Sequence, residues 1–170
     1  MVAFDTGGWS DFALAQLGAS AALLGLVFVG ISINLKEFVG TRVLVNRALE
    51  AIVLLASVLV TATAVLIPGQ SRGACAFEII GVGVVTGLVV LRLQSGVRGI
   101  VVPRGDRGPT WGSVVSRRLL GFGSAVLLLV AGVTLLAQGG GGLYWWPAAI
   151  VVAYLGALID AWVLLVEILR

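Results

Sequence analysis

The chain has 170 residues, of which 59% are hydrophobic and 11% are charged, with a formal net charge of +3. A soluble domain carries about a quarter charged residues, so this composition excludes a water-soluble globule and indicates a polytopic helical membrane protein. The chain has no His and one Cys, which excludes His-ligated haem, the usual zinc sites, iron–sulfur clusters and a Ser-His-Asp triad. We therefore expect no metal and no cofactor.

Apolar runs long enough to cross the ~30 Å hydrocarbon core of a bilayer as helices occur five times along the chain. They are Phe12 to Asn34, Ala48 to Ile67, Ala74 to Leu91, Leu119 to Ala137 and Ala148 to Leu169. Pro68 ends the second run, and the aromatic residues Tyr144 to Trp146 before the fifth are expected at the level of the lipid headgroups. The sequence predicts an all-α bundle of five spans, forming one transmembrane domain over residues 1–170.

The basic residues fall almost entirely on one side of the predicted membrane. That side carries Lys36, Arg42, Arg47, Arg92, Arg98, Arg104, Arg107, Arg117, Arg118 and Arg170, against Arg72 alone on the other. Because basic residues are enriched in cytoplasmic segments, the N-terminus is predicted outside and the C-terminus in the cytoplasm, with a basic cytoplasmic loop over residues 92–118. These arginines suit anionic lipid headgroups, and no pattern typical of nucleic-acid binding accompanies them.

Small residues at helical spacing mark the faces on which membrane helices pack closely. They are Gly18, Ala22 and Gly25 in the first span, Gly83 and Gly87 in the third, and Gly156 in the fifth. Packing within one bundle explains any single stripe. Stripes on several helices favour a homo-oligomer or a place in a larger membrane complex.

Four of the acidic residues within or beside the spans have ordinary explanations. Glu50 lies three residues after Arg47 and is expected either to pair with it or to complement the positive end of its helix. Glu78 is expected within reach of Arg72. Asp11 is expected to cap the first helix, and Glu167 to reach the inner interface.

Asp160 has no such explanation, because it is predicted about 18 Å into the fifth span, near the membrane midplane. A carboxylate there costs about 2.5–3.5 kcal/mol, so protonation, a partner or water must offset it. Glu50, Ser57 and Thr61 form a polar stripe on the second span. Together with Asp160 they line an ion path on one interpretation, and make buried interhelical hydrogen bonds on the other.

Enzyme chemistry is not expected, because Ser and Thr nucleophiles would lack a basic partner at depth. The one lysine of the chain, Lys36, is predicted at the membrane surface.

The segment from Leu17 to Asn34, with residues 47–49 (Arg-Ala-Leu) and 67–70 (Ile-Pro-Gly-Gln), resembles a set of small actinobacterial membrane proteins. Some of these are described as modulators of a membrane-bound AAA protease. The resemblance implies a protein of the bacterial inner membrane with a regulatory or accessory role. It brings no catalytic or ligand-binding residues.

Two hypotheses for function follow. In the first, the protein is a non-enzymatic accessory or regulatory subunit that associates with itself or with a larger membrane assembly. In the second, it is an oligomeric channel or small transporter for protons or small cations, with Asp160 in the path.

Overall fold

The computed structural model describes residues 2–33, 42–95 and 111–168. Within those ranges the chain is helical and contains no β-strand, and five of its helices are long and apolar enough to cross a membrane. The prediction of an all-α protein with five apolar helices is confirmed to that extent.

The five long helices are α1 (Ser10–Ile33), α2 (Arg42–Leu66), α3 (Arg72–Ser95), α4 (Trp111–Ala137) and α5 (Trp145–Ile168). Three short 3₁₀ turns accompany them, at Val2–Phe4, Thr6–Trp9 and Gly142–Tyr144. With 24 to 27 residues each, the long helices measure about 36–40 Å, which exceeds the ~30 Å hydrocarbon core.

The helices are longer than the apolar runs that predicted them. α2 begins at Arg42 and α4 at Trp111, each before its apolar run, while α3 continues to Ser95, past Arg92. Hydropathy detects only the part of a helix that fits the hydrocarbon, whereas the backbone hydrogen bonds continue into polar sequence. Helix therefore extends into both ends of the predicted loop over residues 92–118. The central residues 96–110 lie outside the described part of the chain, as do Asn34 and Leu169.

Four of the helices form a closed ring. α2 contacts α3, α3 contacts α4, α4 contacts α5, and α5 returns to α2, whereas α1 lies outside the ring against α2. Helix α2 is the most enclosed, with 56% of its most apolar window buried, and α1 is the least, with 11%. One end of the bundle holds the start of α1, α3 and α5, and the other holds the start of α2 and α4.

Aromatic rings fill the first of these ends, which we call the aromatic end. Trp9 makes edge-to-face contacts with Phe12, Tyr144 and Trp146 at centroid distances of 5.8, 5.4 and 6.4 Å. Trp146 is fully buried and its Nε1 donates a hydrogen bond to Thr61 Oγ1 at 3.1 Å. Trp146 is therefore turned into the bundle, where a hydroxyl satisfies its indole, while Tyr144 and Trp145 are exposed. The headgroup level of these aromatic residues stays a prediction.

Glycines allow close approach of helices within the ring. A Cβ at Gly83 would lie 3.2 Å from Leu128 Cβ, and one at Gly87 would lie 3.5 Å from Ala125 Cβ, so both glycines lie on the seam between α3 and α4. Gly156 of α5 has the same relation to α2, since its Cβ would lie 2.9 Å from Leu54 Cδ1.

The small-residue stripe predicted on α1 does not lie on a seam between the described helices. Among the described residues, no atom is within 4 Å of where a Cβ would stand at Gly18 or Gly25, and Ala22 between them is exposed. The buried residues of α1, Ala13 and Ser20, lie on the opposite side of the helix. The small-residue face of α1 is thus turned away from the other described helices.

Candidate functional site: a buried ionic cluster

Five polar side chains from the four ring helices meet near the end of the bundle where α2 and α4 begin. They are Arg47 and Glu50 from α2, Gln94 from α3, Arg117 from α4 and Asp160 from α5. We call this group the ionic cluster, and the end that contains it the basic end.

Glu50 is the centre of the ionic cluster and is only 1% exposed. Its Oε2 accepts a hydrogen bond from Arg117 Nε at 2.8 Å and a second from Arg117 Nη2, so two nitrogens of the guanidinium donate to this oxygen. Its Oε1 accepts from Gln94 Nε2 at 2.6 Å. Both carboxylate oxygens are therefore satisfied inside the protein, as a buried charge requires.

Asp160 joins the same cluster from the other side. Its Oδ1 lies 3.3 Å from Arg47 Nη1 and 3.8 Å from Arg117 Nε, and the residue is 3% exposed. With two carboxylates and two guanidinium groups, the ionic cluster has no net formal charge. The ion pairs connect α2 with α4 and α5, and the hydrogen bond from Gln94 to Glu50 connects α3 with α2. One polar network therefore joins all four helices of the ring.

Gly121 of α4 leaves the space that the polar groups of the ionic cluster occupy. A Cβ at this position would lie 2.8 Å from Glu50 Oε1 and 2.9 Å from both Gln94 Nε2 and Val90 Cγ1. Any side chain here would push apart the hydrogen bond between Gln94 and Glu50. The glycine is needed for this close approach of α4 to the polar groups of α2 and α3.

Two expectations about these charged groups are wrong, those for Glu50 and Arg117. Glu50 pairs with Arg117 and not with Arg47, because the closed ring brings α4 against the face of α2 that carries Glu50. Asp160 has a partner, which is one of the three compensations expected for it, and it lies level with residues near the start of α2 and α4 and the end of α3. Arg117 belongs to this buried network and not to a headgroup-facing loop.

The other acidic residues near the spans were expected to cap a helix, pair with a base or reach the interface. Asp11 lies in the first turn of α1, while the cap at this end of the chain is Asp5, whose side chain accepts a hydrogen bond from the Gly7 amide. Glu78 is exposed, and among the described residues no ion pair joins it to Arg72. The side chain of Glu167 lies outside the described part of the structure.

The polar stripe of α2 is only partly included in the ionic cluster. Ser57 Oγ donates to the Leu54 carbonyl at 2.7 Å, and Thr61 Oγ1 donates to the Ser57 carbonyl at 2.8 Å. Both hydroxyls thus bond to their own helix, and Thr61 also accepts from Trp146. Ser57 and Thr61 are buried, but the structure does not bring them to Glu50 and Asp160.

Sequence reasoning did not find Gln94 or Arg117 as members of the site. Gln94 is next to the last residue of α3, beyond the predicted span, and Arg117 is one of several arginines in a stretch predicted to be a loop. One signal was available: Glu50 and Asp160 are two acids inside spans, and each needs a cation at depth.

The ionic cluster holds its charged groups in hydrogen bonds and ion pairs that join the four ring helices. Its cationic members have no acceptor capacity, and its carboxylates are held by donors. Across the described residues, no group of three or more His, Cys, Asp and Glu side chains is placed to hold a metal ion. Among the described residues, Gln94 Oε1 and Ser124 Oγ are buried without a hydrogen-bond partner.

Comparison of the chain with protein-family models, curated proteins and solved structures gives no match. The resemblance to small actinobacterial membrane proteins therefore stays a prediction.

Proposed function

We propose that the protein is a multi-pass protein of the bacterial inner membrane that acts as a non-enzymatic accessory subunit, associating through α1 with copies of itself or with a larger membrane assembly. The observation that carries this proposal is the outward position of the small-residue face of α1, made by Gly18, Ala22 and Gly25.

A glycine inside a helix costs about 1 kcal/mol relative to alanine. At Gly18 and Gly25 no atom of the described residues occupies the space that the missing side chain leaves, so packing within the described part of the chain does not explain these glycines. In a membrane, such a face allows the backbone of a second helix to approach closely, which is how membrane helices associate without a hydrophobic driving force. The low burial of α1 leaves that approach open.

The proposed orientation rests on the described arginines. Arg47, Arg92, Arg117 and Arg118 lie toward the basic end, and Arg72 begins α3 at the aromatic end. The positive-inside tendency supports a cytoplasmic basic end, where Arg92 and Arg118 would meet anionic headgroups.

An ion path through Asp160 is the second candidate. What supports the accessory role over this path is the pairing of Asp160 with Arg47 and the neutral formal charge of the ionic cluster, because a cation path needs a carboxylate that is open to the ion.

Replacing both Gly18 and Gly25 with Leu should break the proposed association. Two leucine side chains on this face would hold a second helix away from the backbone of α1, and association should weaken by at least about tenfold, since 1.4 kcal/mol of lost packing has that effect. The measurement is the mass of the native assembly, extracted with its surrounding lipid. Among the described residues, no atom lies within 4 Å of either Cβ position, so the first atom of each new side chain meets no clash inside the molecule.

The control is Gly81→Leu on α3, which adds one leucine side chain at an open position away from α1. We expect the wild-type protein and Gly81→Leu to keep the assembly and the double variant to be monomeric. A wild-type protein that is monomeric and free of any partner, or an assembly unchanged by the double substitution, would contradict the proposal.

A further inference from the structure

A groove runs between α2 and α3, and all of its lining residues belong to these two helices or to the residue that follows α2. It encloses about 810 Å³ and its lining is mostly aliphatic, including Val53, Val60, Ile67, Val85 and Val89. That volume lies within the range of about 300–1,000 Å³ typical of ligand sites.

The walls of the groove present an apolar surface in spite of their hydroxyl groups. Ser57 donates to the Leu54 carbonyl, and Thr63 donates to the Leu59 carbonyl at 2.9 Å, so both are satisfied by their own helix. Thr86 is only 3% exposed. An occupant therefore meets hydrocarbon along most of the length of the groove.

Glu78 is the exception, as the charged residue among those lining the groove. It lies about 9 Å along α3 from the first residue of that helix, and helical side chains tilt toward the N-terminus, so its carboxylate reaches back toward the aromatic end. It is exposed on the groove side, and the described residues supply no cation within ion-pair distance. An unpaired carboxylate at the edge of the hydrocarbon is costly unless a cation compensates it.

From the combination of an apolar groove and one acid near its aromatic end, we infer that the groove binds a single phospholipid with a primary ammonium headgroup, phosphatidylethanolamine. The ammonium pairs with Glu78, and one acyl chain lies between α2 and α3. The lining of α3 continues from Glu78 to Val89, about 16 Å along the axis, which is close to the ~15 Å thickness of one leaflet.

A second copy of the chain fits the groove less well. Its exposed helix is α1, and the start of α1 at the aromatic end carries Asp11. A parallel copy placed in the groove would bring this acid toward Glu78, and like charges repel strongly where water is scarce. An anionic headgroup such as phosphatidylglycerol is unfavourable at Glu78 for the same reason.

The test is mass measurement of the intact, full-length protein released from vesicles that contain equal amounts of phosphatidylethanolamine and phosphatidylglycerol with identical acyl chains. We expect wild-type protein to retain one phosphatidylethanolamine, about tenfold in excess over phosphatidylglycerol. Glu78→Gln should remove this preference, because the neutral amide no longer selects a cation. Gly81→Leu should remove the bound lipid altogether, since the new side chain enters the groove from an open position.

Two matched variants lie outside the groove. Asp11→Asn neutralises an exposed acid at the same end of the bundle, and Gly73→Leu adds a leucine at another open position of α3. Both should retain phosphatidylethanolamine as the wild type does. Equal retention of the two lipids by wild-type protein, or a preference that survives Glu78→Gln, would overturn the proposal. So would a lipid-free dimer that Gly81→Leu converts to monomer, which would place a second copy in the groove.

Discussion

Arg117→Met should destabilise the protein by about 3–5 kcal/mol, since removing one partner of a buried ion pair leaves the other charge uncompensated. Arg117 gives two hydrogen bonds to Glu50, which is only 1% exposed. Methionine keeps much of the volume of the side chain, so the loss reports the charge and not the packing. The measurement is the free energy of unfolding in detergent or lipid.

Neutralising the partner as well provides the internal control. In the double variant Glu50→Gln with Arg117→Met no unpaired carboxylate remains at position 50, and most of the lost stability should return. The exposed neighbour Arg118→Met should have little effect. If Arg117→Met cost no more than Arg118→Met, the ionic cluster would not be holding the ring together.

Gly132→Leu should separate α3 from α4. A Cβ at Gly132 would stand 2.5 Å from Ile80 Cγ1 and 3.0 Å from the Ala76 carbonyl oxygen, and a backbone atom cannot rotate away as a side chain can. Overpacking of a core costs about 1–3 kcal/mol, and here the cost should reach or exceed the upper limit because a whole leucine must be accommodated at a backbone contact. Thermal unfolding of the purified protein measures it.

The control for this seam is the next residue, Val133→Leu, which enlarges a side chain that is 53% exposed. It should leave the unfolding temperature nearly unchanged. Gly87→Leu should fall between the two, because its Cβ would make an ordinary contact with Ala125 Cβ at 3.5 Å. Equal stability of Gly132→Leu and Val133→Leu would show that α3 and α4 do not pack as closely as the structure indicates.

Much of the fold could be predicted from the sequence because the requirement for about 20 apolar residues per span is local. The run from Ala74 to Leu91 needs no knowledge of its neighbours to be recognised as helix α3. Its end could not be placed in the same way, since Arg92 and Gln94 are polar and yet helical. Gln94 reaches the site because helix α3 continues beyond the end of its apolar run.

The ionic cluster depends on which helix faces which, and that information is not local. The proximity of Arg47 to Glu50 in sequence suggested an i, i+3 pair on one helix, but the ring offers Glu50 a doubly bonded guanidinium from α4 instead. Arg47 is then available to Asp160 of α5. Similarly, spacing identified the small residues of α1, whereas only the packing of the ring shows that they face outward.

Ion flux through liposomes containing the wild-type protein tests most directly the claim that the interior is closed and that the protein acts through its outer surface. With the charges of the ionic cluster paired two by two, we expect the liposomes to be as tight to protons and small cations as empty ones, for either polarity of the membrane potential and at acidic and alkaline pH. A flux well above that of empty liposomes, lost in Asp160→Asn protein that assembles normally, would contradict it and place Asp160 in an ion path.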